Sequence, residues 1–209
     1  MAGAPGSKWS AVARHLYSSS DMNVSDQSED RLYAHSAWGP PILAHTGSYF
    51  DPGMEFGDFF EDLSLYTKDE IEAEFNRAFS FDVPNAPKLI KSHVFSYQVK
   101  YLIEEWPEVP IIMVLRSNDA CLGNWVNCGA FDIKYPNYRY YKDLKNMNRH
   151  IKKQNGAMRR FIAENRCYKM STNWETSELL GLRKPSTYQN YNTDDIEVYV
   201  YWKKYEQTF

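Results

Sequence analysis

Gly3-Ala4-Pro5-Gly6-Ser7-Lys8-Trp9-Ser10, near the start of the chain, are residues of the types that hold a phosphate. Small residues let backbone come close to an anion, Lys8 brings a point charge, and Ser7 and Ser10 bring hydroxyl donors. An amphipathic stretch, Ala11–Tyr17, follows. The free N–H groups at the start of such a helix point at an anion, and the helix field favours it. The ordinary phosphate-loop signature is GxxxxGK[ST]. Aligned on Gly3 and Ser10, the chain has Lys8 where the last glycine belongs and Trp9 where the lysine belongs. A kinase or ATPase needs that lysine on the β/γ-phosphates and a hydroxyl on magnesium, so the mismatch argues against both. A plain Gly/Pro turn ahead of a helix is the competing reading. Only Met1 and Ala2 precede Gly3, which leaves the strand that normally feeds such a loop nearly missing or trimmed.

Further candidates lie downstream. Lys91-Ser92-His93 closes an extended run, and a histidine neutral near pH 7 can accept a hydroxyl proton. Arg116 directly follows the apolar run Ile111–Leu115, with Asn124-Trp125 eight and nine residues on. The carboxyl end of a buried strand is where α/β folds bind ligands, and arginine grips phosphate through two parallel hydrogen bonds. Leu180-Gly181-Leu182 is followed by Arg183-Lys184. Taken singly, His93 also fits a structural histidine and Arg116 a surface ion pair. His15, His35, His45 and His150 have no metal-ligand spacing, and Glu55, Asp58, Glu61 and Asp62 read as a solvated face.

The elements that must position these residues can be read from pattern. Ser18–Asp30 lacks apolar period and reads as a loop. Ala34–Phe60 is irregular, with a short strand at Ile42–Ala44; Tyr49 and Phe50 are expected to form a lid over the acceptor side of the site. Thr67 with Glu70 makes a capping box ahead of Ile71, Phe75 and Phe79 at helical spacing. Lys88–Val94 and Pro110–Leu115 read as buried strands, the second apolar on both faces, with a Tyr97–Trp106 helix between them. That is a βαβ unit. A long helix, Tyr140–Arg166, turns Leu144, Met147, Ile151, Met158, Phe161 and Ile162 to one side. Thr172 and Glu175 box a short helix that ends at Gly181, and Glu197–Trp202 alternates as a last strand. The expected architecture is α/β: a three-layer sandwich around a central, mostly parallel sheet, in one domain spanning 1–209.

Composition sets the outer limits. The chain has 209 residues, 43% hydrophobic and 24% charged, enough for one buried core. A net charge of −3 displays no basic surface for nucleic acid or anionic lipid, so any anion must be gripped locally. Cys121, Cys128 and Cys167 form no CxxC pair; neither a disulfide framework nor a zinc site is expected, and a reducing compartment is. With no bilayer-length apolar run and no signal-peptide stretch, the expected location is cytoplasmic, without a membrane partner. Aromatic content is 16%, a surplus suited to packing and to a cleft that stacks on flat or ring-shaped ligands.

In order along the chain, these segments resemble the sulfotransferase family that uses 3′-phosphoadenosine 5′-phosphosulfate (PAPS), whose members are similar in fold to P-loop nucleotide kinases. In that family a loop of the form P-[KR]-S-G-T-[TS] cradles the 5′-phosphosulfate, and Pro5-Gly6-Ser7-Lys8-Trp9-Ser10 lies over it. Ser7 and Ser10 match, Gly6 replaces the basic residue, and Lys8 stands at the glycine and takes over the basic role. A strand ending K-T-H is matched by Lys91-Ser92-His93, which implies His93 as the base and Lys91 as oriented to the same site. The family's arginine, seven residues and serine at the 3′-phosphate are matched by Arg116, with Asn124 for the serine. The L-G-L is kept, and Arg183 and Lys184 resemble the second basic 3′-phosphate motif, with Pro185 at its glycine. The resemblance implies a sulfotransferase that moves a sulfuryl group from PAPS to an acceptor hydroxyl or amine, leaving 3′,5′-ADP (PAP), on a small molecule or saccharide. A nucleotide or nucleoside kinase and a non-catalytic nucleotide-binding module remain as alternatives.

Overall fold

The computed structural model describes residues 1–27, 33–34, 44–45, 47–132 and 143–205. Its centre is a four-stranded sheet built from β1 (Ala2–Gly3), β4 (Ile111–Leu115), β6 (Glu197–Tyr201) and β5 (Tyr168–Met170), in that order. β1 runs parallel to β4, whereas β4 with β6 and β6 with β5 are antiparallel. The sheet is thus mixed rather than mostly parallel. The final chain segment enters it as a return strand, and a polar/apolar pattern carries no strand direction. A separate two-stranded ribbon pairs β2 (Tyr33–Ala34) with β3 (Ala44–His45); the expected strand Ile42–Ala44 overlaps it only at Ala44, its other residues lying outside the described ones.

β4 is buried along its whole length. Ile111, Met113 and Leu115 face one hydrophobic cluster together with Tyr201; Ile112 and Val114 face another together with Val198 and Val200. Period-two side-chain alternation makes one strand serve two cores, which is why its sequence is apolar throughout. At roughly 1.5–3 kcal/mol per fully buried aliphatic side chain, this strand is a main contributor to stability. The first cluster is covered by α2 (Lys68–Arg77), α3 (Phe95–Glu105) and part of α5 (Leu144–Glu164), the second by α1 (Trp9–Tyr17). Next to α1 packs α6 (Asn173–Leu179). α4 (Asn118–Asn127) packs on α5 in a third, smaller cluster around Cys121, Trp125, Met147 and Ile151.

Local signals are obeyed closely. The Thr67 hydroxyl and Glu70 carboxylate form the reciprocal capping box at α2, and Thr172 caps α6. Asp143 caps α5, which therefore starts after the expected Tyr140; residues 133–142 lie outside the described ones. Leu144, assigned above to the apolar side, is half-exposed in the first turn. The run Lys88–Val94 is extended but not a regular strand. It makes one parallel bridge, Ser92 to Ala2, and turns into α3 at Val94. Phe50 is a core residue, fully buried among Phe56, Phe60 and Phe75, and forms no lid.

Candidate functional site

β1, the bridge at Ser92 and β4 all run in the same direction, so the residues that follow them come to one edge of the sheet. Those residues are the loop after Gly3, His93, and Arg116. The loop turns on a bond from the Ser7 N–H to the Ala4 carbonyl. Gly6 and Lys8 both have positive φ, 77° and 63°. At Gly6 the conformation and the space both demand glycine, since a Cβ would overlap the Cys121 carbonyl of α4. At Lys8 the left-handed conformation is adopted by a residue with a Cβ, which costs about 1–2 kcal/mol. A glycine adopts this conformation without that cost.

α1 then begins at Trp9 with no side-chain cap and no acidic residue in its first turn. The fully buried Ser7 hydroxyl has no hydrogen-bond partner among the described residues and lies close over the Cα of Gly3. A buried hydroxyl without a partner is costly, and an uncapped helix start leaves N–H groups free, so the loop is disposed toward an acceptor-rich anion.

His93 is the most constrained side chain of the site. Its ring stacks on Trp9 at 4.3 Å and 14°, and Tyr49 meets it edge-on at 5.1 Å. Nδ1 is bonded to the Gly3 carbonyl. A carbonyl only accepts, so Nδ1 carries the proton and Nε2 keeps its lone pair. Burial lowers the His93 pKa to about 3, against the smaller opposite effect of that carbonyl, and the ring is neutral near pH 7. Asp51, also buried, accepts the Ser92 hydroxyl (2.7 Å) and the N–H groups of His93 and Val94 (both 3.1 Å), so it pins the backbone that carries the imidazole. Burial raises the Asp51 pKa to about 6 although these bonds, and one from Tyr49, favour its charged form.

Arg116 reaches the loop as well. Its guanidinium donates to the carbonyls of Gly6 (3.4 Å), Ala120 (3.3 Å) and Asp195 (3.2 Å), with the Asp195 carboxylate at 3.8 Å. Half-buried Asn124 stands one α4 turn beyond Ala120. The Lys8 amine lies 3.6 Å from the Asp194 carboxylate. Ser10 is buried in the first turn of α1.

Other expected residues are not gathered here. Buried Lys91 lies over the ring of Tyr17, the last residue of α1, and burial lowers its pKa to about 8 while Asp26 opposes the shift. Arg183 pairs with Asp21 at 3.2 Å and Lys184 with Glu178 at 3.2 Å. Asp21 follows the carboxyl end of α1, a helix of nine residues that spans roughly 14 Å and whose other end carries the loop. Asp51, Asp194 and Asp195 were missed in the sequence. Asp51 sits in a bend, Asp194 ends a short 3-10 helix and Asp195 follows it; aspartate is ordinary in such places, and each one's role depends on partners far away in the chain.

Among the described residues no helix is long and apolar enough to cross a membrane. No family model matches the chain, and neither does any curated protein or solved structure.

Proposed function

We propose that the chain is a PAPS-dependent sulfotransferase acting on an acceptor hydroxyl or amine of a small molecule or saccharide. The observation that carries this reading is His93, a neutral imidazole with its tautomer set by the Gly3 carbonyl and stacked on the first residue of the loop helix. Gly6, Ser7, Lys8, Trp9 and Ser10 would hold the 5′ end of PAPS; the unpartnered Ser7 hydroxyl and the uncapped start of α1 fit an anion of that kind. Bound there, PAPS supplies an activated sulfuryl group and a phosphate leaving group. His93 takes the acceptor proton on Nε2. Lys8 exchanges Asp194 for the phosphosulfate, and Arg116 with Asn124 meets the 3′-phosphate. Such a reaction asks the protein mainly for positioning and charge stabilisation. The three-layer, nucleotide-kinase-like arrangement expected from the resemblance belongs to the same proposal. Arg183 and Lys184 are left out of this site.

A second reading, a non-catalytic nucleotide-binding module, draws on the pairing of Lys8 with Asp194 and of Arg116 with Asp195. Calorimetric titration separates the possibilities. PAP is expected to bind without magnesium and more tightly than ATP or 5′-AMP, and Arg116→Ala to cost about 1.5–3 kcal/mol of that binding. Equal affinity for 5′-AMP and PAP removes the 3′-phosphate site. PAP binding without sulfuryl transfer to any of a panel of hydroxyl and amine acceptors favours the module.

A further inference from the structure

The antiparallel register of β6 on β4 sets Glu197 opposite Leu115, so the turn that leads into β6 arrives beside Arg116. That turn is an arch, 192–195, between two buried anchors. Tyr191 stands at one foot, with its hydroxyl 3.1 Å from that of Thr176, and Ile196 at the other. Asn192, Thr193 and Asp195 are exposed and Asp194 is half-buried. The arch can lift while both feet stay in the core.

Lys8 and Arg116 are both held by this arch. The Lys8 Nζ donates to the Asp194 carbonyl at 3.4 Å and has the Asp194 carboxylate at 3.6 Å. Arg116 is divided between two sets of partners. Its Nη1 is committed to the carbonyls of Gly6 and Ala120, whereas Nε donates to the Asp195 carbonyl at 3.2 Å and Nη2 faces the Asp195 carboxylate at 3.8 Å. Nε and Nη2 form one edge of the guanidinium, and through such an edge arginine makes two parallel bonds to a phosphate. Two consecutive residues thus present oxygens to Lys8 and Arg116 as a bound phosphate would. The grip is loose. Charge-assisted bonds settle at about 2.7–2.9 Å, shorter than any of these four contacts. The Asp195 side chain is also 78% exposed, where an ion pair contributes little.

We propose that the arch is an autoinhibitory contact: Asp194 and Asp195 occupy Lys8 and Arg116 as an internal anion, and a phosphate-bearing ligand binds by displacing both at once. This rests on the anion-binding reading of the loop, and the test separates the two. The full chain is titrated calorimetrically with PAP and with inorganic pyrophosphate, which carries the charge without the nucleoside. Asp194→Asn/Asp195→Asn is compared with Asp21→Asn/Glu178→Gln, which removes the same charge from the pairs made by Arg183 and Lys184. Asparagine at 194 keeps an oxygen for the Gln189 amide, which donates to Asp194 at 2.9 Å. The arch variant is expected to bind both ligands about tenfold tighter, since two charges that repel the ligand are gone, and the control to match the parent. In the parent, either ligand should speed amide exchange at Thr193 and Asp195, whose N–H groups close the arch on the carbonyls of Asn190 and Asn192. Equal gains for PAP and pyrophosphate at equal affinity leave the arch standing while the PAPS reading falls. PAP preferred in the parent, with no gain in the arch variant, keeps that reading and overturns the arch. An equal gain in the control, or unchanged exchange at Thr193 and Asp195, also overturns it.

Discussion

His93 has one nitrogen committed to Gly3 and one lone pair left, and the two possible roles for such a ring separate on measurement. If Nε2 is the base, His93→Ala leaves PAP affinity nearly unchanged while turnover falls about 10²–10⁴-fold. If the ring only fills space against Trp9 and Tyr49, the variant melts earlier and each folded molecule keeps its activity. Lys8 poses the opposite question, because its backbone is strained and its side chain reaches outward to Asp194. A left-handed residue with a Cβ costs about 1–2 kcal/mol, and glycine loses about 0.5–1 through its freer unfolded chain. Lys8→Gly should therefore be as stable as the parent or up to about 1.5 kcal/mol more so by urea unfolding. PAP affinity should fall at the same time. Stability gained with affinity intact would mean the lysine does not touch the phosphosulfate.

The start of α3 is the element on which the site turns, because Asp51 fixes the N–H groups of His93 and of Val94, the residue that caps the helix. The two groups respond to pH in opposite senses. Asp51 has a folded pKa of about 6, raised from 3.8, so its contribution to stability is full below the lower value and is lost as pH rises through about 6. His93 has a folded pKa of about 3, lowered from 6.5; its contribution is full above 6.5 and is lost as pH falls toward 3. From about pH 4 to 6 the slopes oppose each other, and each approaches about 1.4 kcal/mol per pH unit. Asp51→Asn should expose the histidine slope, with stability falling as pH is lowered across that window. His93→Gln should expose the aspartate slope, with stability rising. Urea midpoints at several pH values check both signs, and parallel profiles for the two variants would contradict the assignment.

Across the whole molecule the loop is held by contacts from two directions, α4 beneath Gly6 and Arg116 across its carbonyl. Gly6→Ala forces a Cβ into the Cys121 carbonyl and a side chain into a left-handed position. The loop must then part from α4, and the cost should exceed about 2 kcal/mol, with PAP binding lost. Thermal unfolding and calorimetry on one preparation measure both. A variant that keeps its Tm would show that the contact between loop and α4 is loose.

Much of this protein was legible along the chain. The Thr67–Glu70 box, the apolar run of β4 and the period of α5 depend on residues a few positions apart, and local hydrogen bonding and burial act at that range. The types and spacing of the loop residues and of Lys91-Ser92-His93 were equally visible as candidates. Strand direction was not, because β6 alternates in the same way whether it runs with β4 or against it. Nor did the pattern show that Lys91 sits with Tyr17, that Arg183 lies at the far end of α1, or that Asp51, Asp194 and Asp195 stand against His93, Lys8 and Arg116. These are contacts between segments from 42 to 186 residues apart. Only the packing of sheet and helices sets which side chains meet, because at such separations the sequence carries no local geometry.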